Sequence, residues 1–89
     1  MNGALPGEEL VRRGLADLRA GIDSLEALLV SIGAPRLRAV GLNVPAPLPE
    51  PEAALYERLA ITYGDGAHSR YNALVRQLVS YERAAARDA

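Results

Sequence analysis

Four prolines stand at every second position from residue 45 to residue 51, in the run Val44-Pro45-Ala46-Pro47-Leu48-Pro49-Glu50-Pro51. Proline lacks a backbone donor and its ring fixes φ, so this run fits neither a helix interior nor a sheet and favours an extended polyproline conformation. It connects two stretches of the 89-residue chain that need not be separate domains. At about 3.1 Å per residue the run reaches roughly 20 Å, the length of a helix of about 13 residues, so it can carry the chain from one end of a bundle to the other. As a ligand for an aromatic-lined groove it fits poorly, because it lacks the flanking arginine and two-residue gap of a PxxP segment.

The stretch before the prolines has helical periodicity. Glu8 and Glu9 follow Pro6 and Gly7 and suit a helix first turn, where carboxylates oppose the macrodipole. Val11, Leu15, Leu18, Ile22, Leu25, Leu29 and Ile32 then alternate at spacings of four and three, as in a helix-packing seam. Gly21 has the character of a C-cap, and Asp23 with Glu26 has the spacing of a capping box. The two cap signals predict a break near residues 21–23; one continuous helix to Ile32 is the alternative. Gly33 and Pro35 end the pattern, and Arg36 to Val40 is expected as a short helix or turn closed by Gly41.

After the connector, Pro51 suits the first position of a helix, with Leu55, Tyr56, Leu59, Ala60 and Tyr63 forming an apolar stripe. Gly64-Asp65-Gly66 interrupts it. A last helix shows Tyr71, Leu74, Leu78, Tyr81 and Ala85 at spacings of three and four, widened by Val75 and Val79. The expected architecture is all-α, a small four- or five-helix bundle forming a single helical domain over 1–89. Its helices lie at about 8–20, 24–33, 35–41, 51–63 and 67–87, with the connector at 43–51 and the last two helices as an αα-hairpin.

Composition narrows the function classes. Hydrophobic residues are 49% and charged residues 24% of the chain, with a formal net charge of -1, a balance of globular proteins and not of disordered or nucleic-acid-coating ones. The absence of cysteine removes disulfides, thiolate metal sites and thiol nucleophiles. No basic residue precedes Arg12, and no long apolar run occurs, so the expectation is a cytoplasmic protein without a membrane partner. No HExxH, Glu-x-x-His or GxSxG motif occurs, and the adjacency of His68 and Ser69 specifies no catalytic geometry. The expectation is therefore a non-enzymatic chain with no cofactor, metal or catalytic residue.

Two surfaces of the last helix remain as candidates. His68, Arg70, Arg76 and Arg83 form a candidate anion site, since a helix amino terminus attracts anions and arginine offers a fork of donors. The plainer reading has Asp65 or Ser69 capping the helix while His68 and Arg70 face water. Asn72, Arg76, Arg83 and Arg87 make a stripe that could follow phosphates, joined in sequence by Arg36 and Arg38, with Glu82 and Asp88 placed to neutralise it. Residues 25–42 do not form a helix-turn-helix, because Pro35 and Gly41 leave too short a recognition helix. Tyr71, Val75, Leu78, Val79 and Tyr81 form a candidate interface, since tyrosine and arginine favour binding hot spots. A chain of this size buries only about 60–65% of its unfolded surface, so some apolar side chains await a partner. The expected function is a protein–protein interaction or structural module, self-associating as a homodimer or binding a second protein, with nucleic-acid or phosphate-ligand binding as the alternative.

Overall fold

The computed structural model describes residues 5–88, and these form five α-helices and no strand. They are α1 (Glu8–Arg19), α2 (Leu25–Ile32), the six-residue α3 (Ala34–Ala39), α4 (Pro51–Tyr63) and α5 (Ala67–Asp88), with a 3-10 turn at Gly64–Gly66 between the last two. That turn closes the expected hairpin.

α1 stops at a Schellman motif. The Ile22 N–H donates to the Asp17 carbonyl at 2.8 Å and the Gly21 N–H to the Leu18 carbonyl at 3.2 Å, with Gly21 at a φ of 75°. The chain therefore breaks after Arg19 and does not continue as one helix to Ile32. Asp23, expected as the next cap, is not the cap. Ser24 takes that role, its Oγ accepting from the Ala27 N–H at 3.0 Å and donating to Asp17 Oδ2 at 2.6 Å. The serine stands three residues before that donor, the spacing a cap requires, while Asp23 turns outward to Arg58 of α4 at 3.4 Å. Ile22, expected in the seam, is 52% exposed because it lies past the end of α1.

α2 is the central element. Ala27, Leu28, Leu29, Val30 and Ser31 are all buried, because α1, α4 and α5 pack around this helix; a helix apolar on every side is stable only when enclosed. The approach of α1 is close. A Cβ at Gly14 would overlap the Glu26 carbonyl oxygen and Val30 Cγ2, so glycine there lets the two backbones meet.

The proline connector has no regular structure from residue 42 to 48, and side chains satisfy its backbone groups. The Leu48 N–H donates to Ser31 Oγ at 3.0 Å, while the same hydroxyl donates to the Ala27 carbonyl at 2.8 Å. Arg38 donates from Nη2 to the Val44 and Pro45 carbonyls, each at 3.1 Å, and Arg19 Nη2 donates to Asn43 O at 3.1 Å. Val44 is buried in the core and Leu48 packs against it. Arg38, considered above for a phosphate-binding surface, is thus engaged with the connector.

α4 begins at Pro51 with Glu52 in its first turn and turns Leu55 and Leu59 fully inward, each contributing about 1.5–3 kcal/mol of apolar burial. Tyr56, Ala60 and Tyr63, expected on the same inward stripe, are exposed. The core already holds two leucines from this helix; Tyr56 and Ala60, each one position beyond a leucine, rotate by about 100° away from it, and Tyr63 is the last residue of α4.

Candidate functional site

The structure separates the residues expected as an interface on α5. Leu78 and Tyr81 are buried in the chain's own core, and Tyr71 and Val75 pack partly against it. Val79 is half-buried and lines a groove against α3. This face serves the monomer's packing, so Leu78 and Tyr81 are not open to a partner. Burial, and then the nearby Glu8 carboxylate, push the Tyr81 hydroxyl above the usual tyrosine range.

The candidate anion residues do not converge. Arg70 lies well over 100° around α5 from Arg76 and Arg83, and His68 is about 22 Å along the axis from Arg83. The 3-10 turn passes directly into α5, with the Ala67 N–H donating to the Gly64 carbonyl, and it carries no side-chain cap from Asp65 or Ser69. His68 is exposed and pairs through Nε2 with Asn72 Nδ2 at 3.2 Å. Arg70 instead lies over the Tyr63 ring, its guanidinium carbon 4.3 Å from the centroid, a cation–π contact worth about 0.5–1 kcal/mol at an exposed site.

What the structure does assemble is the outer face of α4. Among the described residues four large apolar side chains are exposed, and three of them, Tyr56 at 41%, Ile61 at 82% and Tyr63 at 42%, belong to this one helix. Ala53 and Ala60, both exposed, lie along the centre of the face, with Tyr56 and Tyr63 on the flank toward α5 and Glu57 and Ile61 on the other. The tyrosine flank is ordered by its neighbours. Tyr56 packs at a ring-centroid distance of 5.6 Å from Tyr71 and edge-on to His68 at 6.5 Å, within the range of favourable aromatic contacts. Burial, followed by the negative charge of Glu52, raises the Tyr71 hydroxyl above its ordinary pKa, which places an acidic group at the start of the same flank.

A second feature lies between α3 and the end of α5, a groove of about 400 Å³ lined by Arg36, Val40, Val79, Glu82 and Arg83 among others. Glu82 is only 7% exposed, and Arg36 Nη1 stands 3.8 Å from its Oε1. Burial pushes the Glu82 carboxyl above the usual glutamate range, and Arg36 opposes that shift only in part. Gly33 makes room for the carboxylate: a Cβ there would come within 2.6 Å of Glu82 Oε2. Glu82 therefore faces inward and does not neutralise the arginine stripe as its sequence position implied. Arg76, Arg83 and Arg87 are exposed along one side of α5, and among the described residues none of them is in an ion pair within 4.0 Å.

Periodicity did not reveal Ile61 or Glu82. Ile61 falls off the α4 stripe, a weak signal of a second apolar face; Glu82 next to buried Tyr81 has no sequence signal beyond its helical angle, about 40° from that of Leu78. Among the described residues no group of three or more His, Asp or Glu is placed to hold a metal ion, and no helix is long and apolar enough to cross a membrane. Comparison with family models, with curated proteins and with solved structures gives no match to this chain.

Proposed function

We propose that the chain is a non-enzymatic protein-interaction module that acts through the outer face of α4. The observation that carries this reading is the concentration of exposed large apolar side chains: three of the four among the described residues lie on one helix. Scattered apolar residues on a surface need no partner, whereas a concentration of them on one element marks an interaction face; here Tyr56 and Tyr63 lie about 20° apart around α4 with Ala53 and Ala60 beside them, and Ile61 lies about 140–160° from the tyrosines, beyond Glu57. Tyrosine at two positions supplies broad contact area with few rotamers to freeze, and Arg70 over Tyr63 adds a cation beside it. The test places a photoreactive phenylalanine analogue at Ile61, and separately at exposed Arg12 of α1, in cells producing the full chain. A discrete cross-linked adduct from position 61 and none from position 12 is expected. Equal, diffuse labelling from both positions would overturn the reading.

A second reading, binding of a nucleic acid along α5, is favoured by the exposed row of Arg76, Arg83 and Arg87, which have no ion-pair partner among the described residues. If these three arginines contact phosphates, the logarithm of affinity should fall with the logarithm of salt with a slope of about -2.7 on duplex DNA. Titration of a fluorescent duplex oligonucleotide decides it: absence of binding at low salt, or binding indifferent to salt, removes this alternative.

A further inference from the structure

The groove between α3 and the end of α5 holds a buried acid with an incomplete set of partners. Glu82 is 7% exposed and lines this groove of about 400 Å³, a size within the roughly 300–1,000 Å³ of small-molecule sites. Its Oε2 fits against Gly33, where a Cβ would come within 2.6 Å of it. Its Oε1 has Arg36 Nη1 at 3.8 Å, longer than a hydrogen bond. A carboxylate taken out of water needs hydrogen-bonded opposite charge to offset its desolvation, and this pair supplies it only loosely. The Arg36 side chain is 77% exposed, so it can swing aside without disturbing the core. Arg83, exposed on the same groove, brings a second guanidinium, and Val40, Val79 and Ala86 supply an apolar wall.

These charges select a ligand by elimination. A lone anion would face the Glu82 carboxylate, and a lone organic cation would face two guanidiniums. A metal ion has no ligand set here, since among the described residues no three His, Asp or Glu come together to hold one. We propose that the groove binds a free α-amino acid with an aliphatic side chain, its ammonium on Glu82 and its carboxylate on Arg36 and Arg83. The ammonium and carboxylate of an α-amino acid stand on neighbouring carbons, which suits an acid and a base that already face each other. Inserting them replaces one loose ion pair with two charge-assisted hydrogen-bonded contacts. The ligand's side chain then lies against Val40, Val79 and Ala86. The lining of this groove comes from α3, Val40 and α5, so the site is separate from the interaction face on α4.

The test follows backbone amide shifts of the isotope-labelled full chain with three probes of matched shape. These are L-leucine, isopentylamine, which lacks the carboxylate, and isocaproate, which lacks the ammonium. L-leucine should give saturable shifts centred on Val40, Val79 and their neighbours. Each truncated probe should bind at least about tenfold more weakly, because it leaves a charged group of the groove unpaired. Arg36→Gln, at an exposed position, and Glu82→Gln, which keeps the side chain's shape, should each weaken L-leucine by about tenfold. Arg76→Gln, outside the groove, should stay within about twofold of the parent, and urea unfolding checks that each variant folds. No saturable shift with L-leucine, shifts centred on another surface, a truncated probe that binds as tightly, or an Arg36→Gln variant that binds like the parent would each overturn the site.

Discussion

Replacement of Gly14 by alanine tests the central packing of this fold with one methyl group. Gly14 lies within α1, where alanine is the better helix former by about 0.8–1.0 kcal/mol. On propensity alone Gly14→Ala would stabilise the chain. The added Cβ, however, would overlap Val30 Cγ2 and the carbonyl oxygen of Glu26, and would lie 2.9 Å from the Glu26 carbonyl carbon. A valine methyl can rotate away; a helix backbone cannot, so α1 must lift from α2. Overpacking of this kind costs about 1–3 kcal/mol, and the backbone neighbour places Gly14 toward the upper end. The net expectation is a loss of about 1–2 kcal/mol, which for a domain of this size lowers Tm by roughly 4–8 °C per kcal/mol. Urea unfolding followed by far-ultraviolet circular dichroism reads it, with the slope unchanged and the midpoint lowered. A variant as stable as the parent, or more stable, would show that α1 and α2 do not meet at Gly14 and would refute the packing described.

Two other substitutions probe separate parts of the account. Ser24→Ala removes both the acceptor for the Ala27 N–H and the donor to Asp17; a loss of about 1–2 kcal/mol in urea unfolding is expected, whereas Asp23→Ala, at a position that caps nothing, should change stability by less than about 0.5 kcal/mol. Glu82→Gln tests the buried carboxyl through pH. Because folding raises the Glu82 pKa by burial, the native state binds the proton more tightly than the unfolded chain. The stability it contributes is complete below the unfolded-state value and is lost as pH rises through the higher folded-state value. Across that window the parent's urea midpoint should fall relative to that of Glu82→Gln; parallel pH profiles for the two proteins would contradict the burial of a titrating carboxyl.

The helices were legible because their ends carry local chemistry: paired carboxylates before Val11, glycine at position 21, proline at position 51, and the Gly64–Gly66 turn all act within one turn of the chain. The break between α1 and α2 followed from the same local signals, even though the apolar seam ran through it undisturbed. Which of two adjacent polar residues caps α2 was not legible, since Asp23 and Ser24 are both good caps and the choice depends on Asp17 and Arg58 reaching them from other helices. The direction in which α4 faces was hidden for a related reason. Leu55 with Leu59 and Tyr56 with Tyr63 are two apolar stripes on one helix, and only the position of α2 decides that the leucines go inward. Likewise the arginines divide by tertiary position: Arg38 serves the connector and Arg36 faces Glu82, while Arg76, Arg83 and Arg87 stay on the surface.

The outer face of α4 as an interaction face can be tested most directly by labelling single cysteines, which the cysteine-free sequence permits without background from the chain itself. In the full chain Ala60→Cys places one thiol on the outer face of α4, and Ala16→Cys places one on the exposed side of α1 as a control. In cells producing the chain, a maleimide should label position 60 several-fold more slowly, relative to position 16, than it does in the dilute purified chain, because a bound partner covers α4 and leaves α1 open. An unchanged ratio of the two labelling rates would contradict the assignment of α4 as the contact face.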